Sequence, residues 1–331
     1  MYKDFNQATD ISTQTGVVNE IIPLTGTFFS GSPPVYAKNY LNITSGSAAS
    51  GGFFTTIYDG SPTSISSSAL LDLTMGISSA SLWAGYAATF LPNEKQRVYR
   101  EMARYLLGSD SQFFNFNNAN YNECFFLCFK RRLFKDEIKK GTFAITLQVQ
   151  GAVTDTITLT DVGAAGNYDT TPGGDQGPLY SGSTVVGSVY YNAGIAVFPT
   201  GVFVPPTSTN SLAWSGSYNL NQIQSGNIDQ AVDGLRNHIQ QVNFQNQTNL
   251  HSTIYFCRAL NSEFNYSTNP TFIDNSGRIV PTSGTDNQTR TYMTSVGLYD
   301  INDNLLAVAK LSQPVKKSPD SEITVRVKLS Y

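Results

Sequence analysis

Apolar and polar residues alternate strictly over the last ten positions of the chain. The apolar positions are Ile323, Val325, Val327, Leu329 and Tyr331, and polar or basic residues separate them. Because successive side chains of a strand point to opposite faces, this period of two predicts a half-buried strand. Its backbone groups need partners, so we expect the carboxyl terminus to be docked in a sheet.

Two more runs with strand character lie upstream of this segment. They are Thr291–Leu298 and Leu305–Leu311, joined by the turn-rich stretch Asp300–Asn304. We expect residues 291–331 to form an antiparallel β unit of three strands. The terminal strand should then pair with one of the other two, within the chain or in a neighbouring copy.

Helical periodicity appears in two longer segments and one short one. Glu94–Leu107 carries an apolar stripe, with Asn93 placed as its amino-terminal cap and Gly108 placed to end it. Ile228–Gln240 repeats apolar residues at helical spacing. Ser66–Gly76 contains three leucines and is predicted to be a third, short helix.

The segments between the two main helices are predicted to be strands. Residues 163–182, rich in glycine, are instead expected to form a long contact loop. The predicted strands are Cys124–Phe129, Thr142–Val149, Thr154–Leu159, Val185–Tyr191, Ile195–Phe198 and Val202–Val204, followed after the second helix by Gln241–Phe244 and His251–Leu260.

The first sixty residues have turn formers and short apolar islands but too few apolar residues for a core of their own. We interpret residues 1–60 as an extended amino-terminal arm that contacts other subunits, and residues 61–331 as a β-rich structural domain. The expected fold class is mainly β with a few helices. It comprises antiparallel sheets or a sandwich, two or three packed helices and the arm.

Composition is compatible with a protein whose surface is covered by neighbours. Charged residues are 14% of the chain, against roughly 25% in ordinary soluble domains. Glycine (27), phenylalanine (20) and tyrosine (18) are abundant instead. Such a surface has little self-repulsion, which suits a subunit that assembles. A secreted β-protein is the alternative that composition leaves open.

Charge and hydropathy argue against nucleic acid and membranes as partners. The net charge is −3, from 21 basic and 24 acidic residues, whereas nucleic-acid binders usually carry a basic stripe. The basic run Lys130–Arg132 is interpreted as a solvated or subunit-facing strand edge. No secretory signal or membrane-length apolar run is seen.

Residue types for chemistry are sparse. Cys124, Cys128 and Cys257 stand in apolar contexts, which indicates free core thiols and a reducing compartment. His238 and His251 are the only histidines, and both are expected at a surface or an interface. No nucleophile elbow, phosphate loop or metal-ligand pattern occurs. We therefore expect no catalytic residues, no cofactor and no metal, and hence no enzyme.

Several segments resemble virion structural proteins of tailed bacteriophages, especially contractile-tailed phages of aquatic bacteria. They are Lys135–Phe143, Ser252–Arg258, Glu263–Pro270 and Val296–Tyr299 followed by Leu305–Leu311. The stretch from Val296 to Pro314, reading GLYD…LLAVAKL, also resembles a module of phage fibre-attachment and baseplate proteins. The resemblance runs from about Lys95 to the carboxyl terminus.

The resemblance implies a structural subunit of the virion, most simply in the tail, baseplate or fibre-attachment region. It would assemble in the host cytoplasm, in contact with its own copies and with neighbouring virion proteins. A capsid or neck decoration protein is an alternative, and a carbohydrate-binding receptor module is an alternative of a different class. The candidate assembly contacts are Phe28, Phe29, Tyr168, Trp214, Tyr266, Arg326 and Lys328.

Overall fold

The fold is described from a computed structural model of the 331-residue chain. The structure describes residues 3–24, 43–45, 53–59, 64–78, 93–149, 156–163, 166–203, 213–215, 218–219, 227–267, 269–276, 279 and 290–330. Over these residues the protein is mainly β, with antiparallel sheets and three short α-helices, so the predicted fold class is confirmed.

The helices are α1 (Asn93–Leu107), α2 (Arg131–Phe134) and α3 (Ile228–His238), and a 3₁₀ helix spans Thr200–Phe203. The strands are β1 (Ile11–Pro23), β2 (Ile43–Ser45), β3 (Thr55–Tyr58), β4 (Ala69–Ile77), β5 (Phe114–Phe116), β6 (Ala119–Tyr121), β7 (Glu123–Phe129), β8 (Glu137–Ile138), β9 (Ala144–Gln148), β10 (Thr156–Thr160), β11 (Asp169–Thr171), β12 (Gly174–Ser181), β13 (Thr184–Tyr190), β14 (Ile195–Pro199), β15 (Ala213–Ser215), β16 (Tyr218–Asn219), β17 (Ile239–Ala259), β18 (Thr291–Tyr299), β19 (Leu305–Lys317) and β20 (Ile323–Ser330).

One large sheet holds fourteen of the described strands. Its order is β1-β17-β9-β10-β12-β13-β14-β7-β4-β3-β2, with β8 and β20 also paired to β17 and β11 paired to β12. Three small two-stranded sheets, β5–β6, β15–β16 and β18–β19, complete the described strands. The chain divides into two compact units, Met1–Val17 with Asn249–Tyr331 and, separately, Val18–Thr248.

The core of the Val18–Thr248 unit is built around β7. This strand pairs antiparallel with β14 on one side and with β4 on the other. Its consecutive residues Phe125, Phe126 and Leu127 are all fully buried. Burial on both faces explains why the sequence shows a continuous apolar run here and no alternation.

Both main helices are confirmed, α1 at Asn93–Leu107 and α3 at Ile228–His238. Helix α1 lies directly against β4, because Gly76 leaves room for the helix backbone at Tyr99. The Tyr99 hydroxyl donates a hydrogen bond to the Tyr121 carbonyl at 2.6 Å and accepts one from the Phe114 amide at 3.0 Å. Helix α1 is thereby tied to the small β5–β6 sheet.

The predicted helix at Ser66–Gly76 is wrong, because most of this segment forms strand β4. A short apolar run is ambiguous between a buried helix and a buried strand. Here the segment forms a strand because β4 pairs with β3 and with β7 along its length.

Three other local predictions are corrected. The expected loop at residues 163–182 contains β11 and β12, which pair with each other across a tight turn at Pro172–Gly173. In the strand expected at Val202–Val204, the first two residues belong to the 3₁₀ helix, and Val204 lies outside the described residues. The basic run Lys130–Arg132 begins helix α2 and is not a strand edge.

The terminal strand is confirmed, but its predicted partner is wrong. Strand β20 alternates between partly buried and exposed residues, with Val327 buried. It pairs antiparallel with β17, where Val327 stands opposite Tyr255. Strands β18 and β19 instead pair with each other. The 21-residue β17, predicted as two separate strands, supplies a pairing edge that local sequence does not reveal.

Candidate assembly surface

The hairpin of β18 and β19 exposes several apolar side chains. These strands pair only with each other among the described residues. An isolated two-stranded sheet is marginally stable in water and usually needs further packing. The exposed apolar side chains are Tyr292, Tyr299, Ile301 (99% exposed), Leu305, Leu306 (68%) and Val308 (58%). Exposed apolar side chains of this number on one element are typical of interaction sites.

Gly297 organises one apolar face of the hairpin. A methyl group added there would lie 2.9 Å from the Tyr299 ring and 3.3 Å from Leu305 Cδ1. The missing side chain therefore lets Tyr299 and Leu305 lie over the strand beside Val308, which is opposite Gly297. The motif GLYD…LLAV thus encodes a flat apolar patch on the hairpin.

The turn of the hairpin is held by Asp300. Its carboxylate accepts hydrogen bonds from the Asn302 and Asn304 amides, each at 2.8 Å, and from the Asn304 side chain at 2.9 Å. These bonds, led by that from the Asn304 side chain, lower the pKa of Asp300. Asp303 has a φ of 62°, a value that Asp tolerates in turns. The tip is therefore acidic and conformationally defined.

The base of the hairpin is anchored to the loop at residues 261–265. Lys317 is fully buried, and its ammonium donates to the Asn261 carbonyl at 3.1 Å and to Asn265 Oδ1 at 2.9 Å. The Thr291 hydroxyl donates to the Phe264 carbonyl at 3.0 Å. These bonds fix the base of the hairpin, while the exposed apolar residues concentrate towards its turn.

The predicted contact residues are not all brought to one place. Arg326 and Lys328 are exposed on the outward face of β20, and Tyr266 is exposed in the same unit. Tyr168 is exposed but belongs to the Val18–Thr248 unit. Phe28 and Phe29 lie outside the described residues, as does the side chain of Trp214 in β15.

Tyr168 lies beside a partly buried cluster of polar residues. The Lys140 ammonium is 4.6 Å from the centre of the Tyr168 ring. It also lies 2.9 Å from Asp175 Oδ2 and 3.3 Å from Glu137 Oε2. The hydrogen bond from Lys140 lowers the pKa of Asp175. Asn192 Oδ1 accepts from the Asp175 amide at 2.8 Å.

Asp161 extends this cluster into the core. Burial raises its pKa, while the Gly141 and Phe143 amides, each at 2.8 Å, and the Tyr191 hydroxyl at 3.0 Å stabilise its charge. The polar groups named here bind one another and close the loop between β8 and β9. The arrangement is that of a structural network.

Lys95 is a buried cation that the sequence pattern did not lead us to expect. It occupies α1 and is fully buried, and burial lowers its pKa from 10.5 to about 7 despite the opposing field of Glu123. Thr200 donates a hydrogen bond to the Glu123 carboxylate at 3.1 Å. Lys95 precedes Val98 by three residues, so it falls on the predicted apolar stripe of α1. This spacing was the feature of the sequence from which its burial could have been predicted.

The remaining chemically interesting side chains serve packing. All three cysteines are free, and burial raises the pKa of each thiol, which disfavours the reactive thiolate form. Cys124 is buried as expected, whereas Cys128 and Cys257 are only partly so. His238 was expected at a surface and is instead fully buried, with its Nδ1 2.7 Å from the Gly234 carbonyl oxygen. Its ring packs edge-on against Phe203, with the ring centres 5.5 Å apart.

Comparison with known proteins identifies no relative: no family model, curated protein or solved structure matches the chain. The resemblance to phage virion proteins therefore stays a hypothesis. In the described residues, no helix has the length and apolar character needed to span a membrane. The same residues contain no group of three or more His, Cys, Asp or Glu side chains arranged to hold a metal ion.

Proposed function

We propose that this chain is a non-enzymatic structural subunit of a tailed-phage virion, in the tail, baseplate or fibre-attachment region. It acts by binding its own copies and neighbouring virion proteins. The GLYD…LLAVAKL segment that carries the resemblance coincides with the β18–β19 hairpin. The motif and the exposure of its apolar residues both support the proposal.

The observation that carries the proposal is the exposed apolar face of this hairpin. Tyr299, Leu305 and Val308 are each at least two-fifths exposed. The base is tied down by the buried Lys317, so the apolar residues are presented on a fixed element. Burying them against a partner would release roughly 25 cal/mol for each Å² of apolar surface removed from water.

The direct test is to purify particles of a tailed phage whose genome encodes this chain and to label them with an antibody raised against it. Negative-stain images should show the label at the tail or baseplate. Label on the head or the neck would select the alternative of a capsid or neck decoration protein. Particles that lack the chain altogether would refute the proposal.

A carbohydrate-binding receptor module is the second candidate, favoured by the exposed ring of Tyr168 beside the Lys140 cluster. Sugar sites combine an aromatic surface with polar groups that can turn towards a ligand. Here Lys140, Asp175 and Asn192 are already bonded within the cluster. A glycan array separates the two functions: specific binding that Tyr168→Ala abolishes would support the receptor module.

A further inference from the structure

The two strands of the β18–β19 hairpin differ in how their outer edges are protected. Natural proteins guard exposed edges with lysine and proline, which oppose pairing with another chain. Strand β19 carries Lys310, Pro314 and Lys316. Strand β18, with the sequence TYMTSVGLY, has no charged residue and no proline. Its composition, rich in β-branched and aromatic residues, favours pairing.

The charges that flank β18 are self-complementary. Arg290 directly precedes the strand and Asp300 directly follows it. If two copies of β18 pair antiparallel and in full register, Ser295 of each copy meets Ser295 of the other. Arg290 of each copy then lies opposite Asp300 of the other, so both ends of the pair bring opposite charges together.

We propose that β18 pairs antiparallel with β18 of a second copy of this chain, about a twofold axis at Ser295. Two hairpins then form one four-stranded sheet, and the apolar patches around Gly297 become parts of a larger surface. This inference rests on the proposed assembly function and names its partner. A twofold interface is self-complementary, as the flanking charges require.

The pairing removes the weakness of the isolated hairpin. A two-stranded sheet is marginal in water, and a sheet of three or more strands with an apolar face is stable. Backbone hydrogen bonds along the added edge supply affinity, as in other cases of strand addition. The lysines and the proline of β19 stay on the outer edges, where they stop further growth.

The first test measures self-association of the full chain by sedimentation velocity across a range of concentrations. The parent should show a monomer–dimer equilibrium. Thr294→Lys places a charge on the proposed edge and should weaken the dimer at least tenfold. Ser312→Lys is the matched control, since it adds the same charge to the exposed surface of β19. Its dimerisation should stay within about twofold of the parent, because β19 already tolerates lysines at its edge.

The second test places a thiol at the proposed axis and does not depend on the stability of the lysine variant. Ser295→Cys should be joined into a covalent dimer by a short thiol-specific cross-linker, because directly opposed Cβ atoms lie roughly 5 Å apart. Ser312→Cys and the parent, treated alike, control for position and for the native thiols.

The outcomes separate this inference from the proposed function. A chain that stays monomeric at all concentrations, with no cross-link through Ser295→Cys, overturns the pairing even if particles carry the antibody label. Equal weakening by Thr294→Lys and Ser312→Lys also overturns it, because the edge would then not be specific. Dimerisation together with unlabelled particles would refute the virion role and leave the pairing standing.

Discussion

Replacing Gly76 with alanine should destabilise the protein, because β4 and α1 approach each other too closely there for any side chain. A Cβ atom at this position would lie 2.7 Å from the Tyr99 amide nitrogen and 2.8 Å from its Cα. Both are backbone atoms, so no rotamer change relieves the clash. The helix itself has to move by several tenths of an ångström.

The size of the effect follows from two opposing contributions to the free energy of unfolding. Overpacking a core typically costs about 1–3 kcal/mol, and Tyr99 resists movement because its hydroxyl bridges Phe114 and Tyr121. Alanine also reduces the entropy of the unfolded chain, which stabilises by about 0.4–1 kcal/mol. The clash outweighs this gain, so we expect a net loss of roughly 1–2 kcal/mol.

Gly201 provides a matched control in the same unit. A Cβ atom there meets no heavy atom within 4 Å, and its φ is not in the left-handed region. Gly201→Ala should therefore keep only the entropic gain and be neutral or slightly stabilising. Chemical denaturation of both variants beside the parent decides the matter. A Gly76→Ala variant as stable as Gly201→Ala would show that α1 does not pack on β4 as described.

Two further predictions concern buried groups. Val327→Asp should cost roughly 3 kcal/mol or more by burying an unpaired charge against β17, whereas Arg326→Ala, on the exposed face, should cost under about 1 kcal/mol; equal melting temperatures would contradict the face assignment. The second concerns Lys95, whose pKa in the folded state, about 7, lies below the ordinary 10.5. Between these two pH values the unfolded state binds more protons than the folded state, so the free energy of unfolding rises with pH. Between pH 7.5 and 9, the free energy of unfolding of the parent should rise by about 1.4 kcal/mol per pH unit relative to that of Lys95→Met. The control Lys328→Met changes an exposed lysine, and its stability should depend on pH as that of the parent does. If the free energy of unfolding depends on pH in the same way for the parent and Lys95→Met, the burial of the Lys95 ammonium is contradicted.

Local sequence patterns predicted individual helices and strands better than they predicted which strands pair. The stripe and cap signals of α1 and the alternation of β20 lie within one short stretch of chain, so sequence alone reveals them. The partner of β20 lies more than sixty residues away in β17. Pairing over such distances depends on which edges remain open after folding, and no local pattern records that.

The failed prediction at β4 has the same origin. Its three leucines span only four residues, about one helical turn, which does not distinguish a helix from a strand. Pairing with β3 and β7 makes the strand the better solution. The unexpected burial of Lys95 and His238 is different. Both residues stand at positions of helices that face the core, although lysine and histidine side chains usually remain in contact with water. For Lys95, three residues before Val98 on the apolar stripe, helical spacing was the more reliable signal.

Edge chemistry connects the fold to the proposed assembly. Strand β20 shows Arg326 and Lys328 on its outward face, so charge keeps that surface in water. Strand β18 has no charged residue between Arg290 and Asp300, although its partner β19 has three lysines. A chain that protects one strand of a hairpin and leaves the other bare has an asymmetry that stability alone does not require. Pairing with a second copy gives that asymmetry a physical reason, because the bare edge is the one that becomes covered.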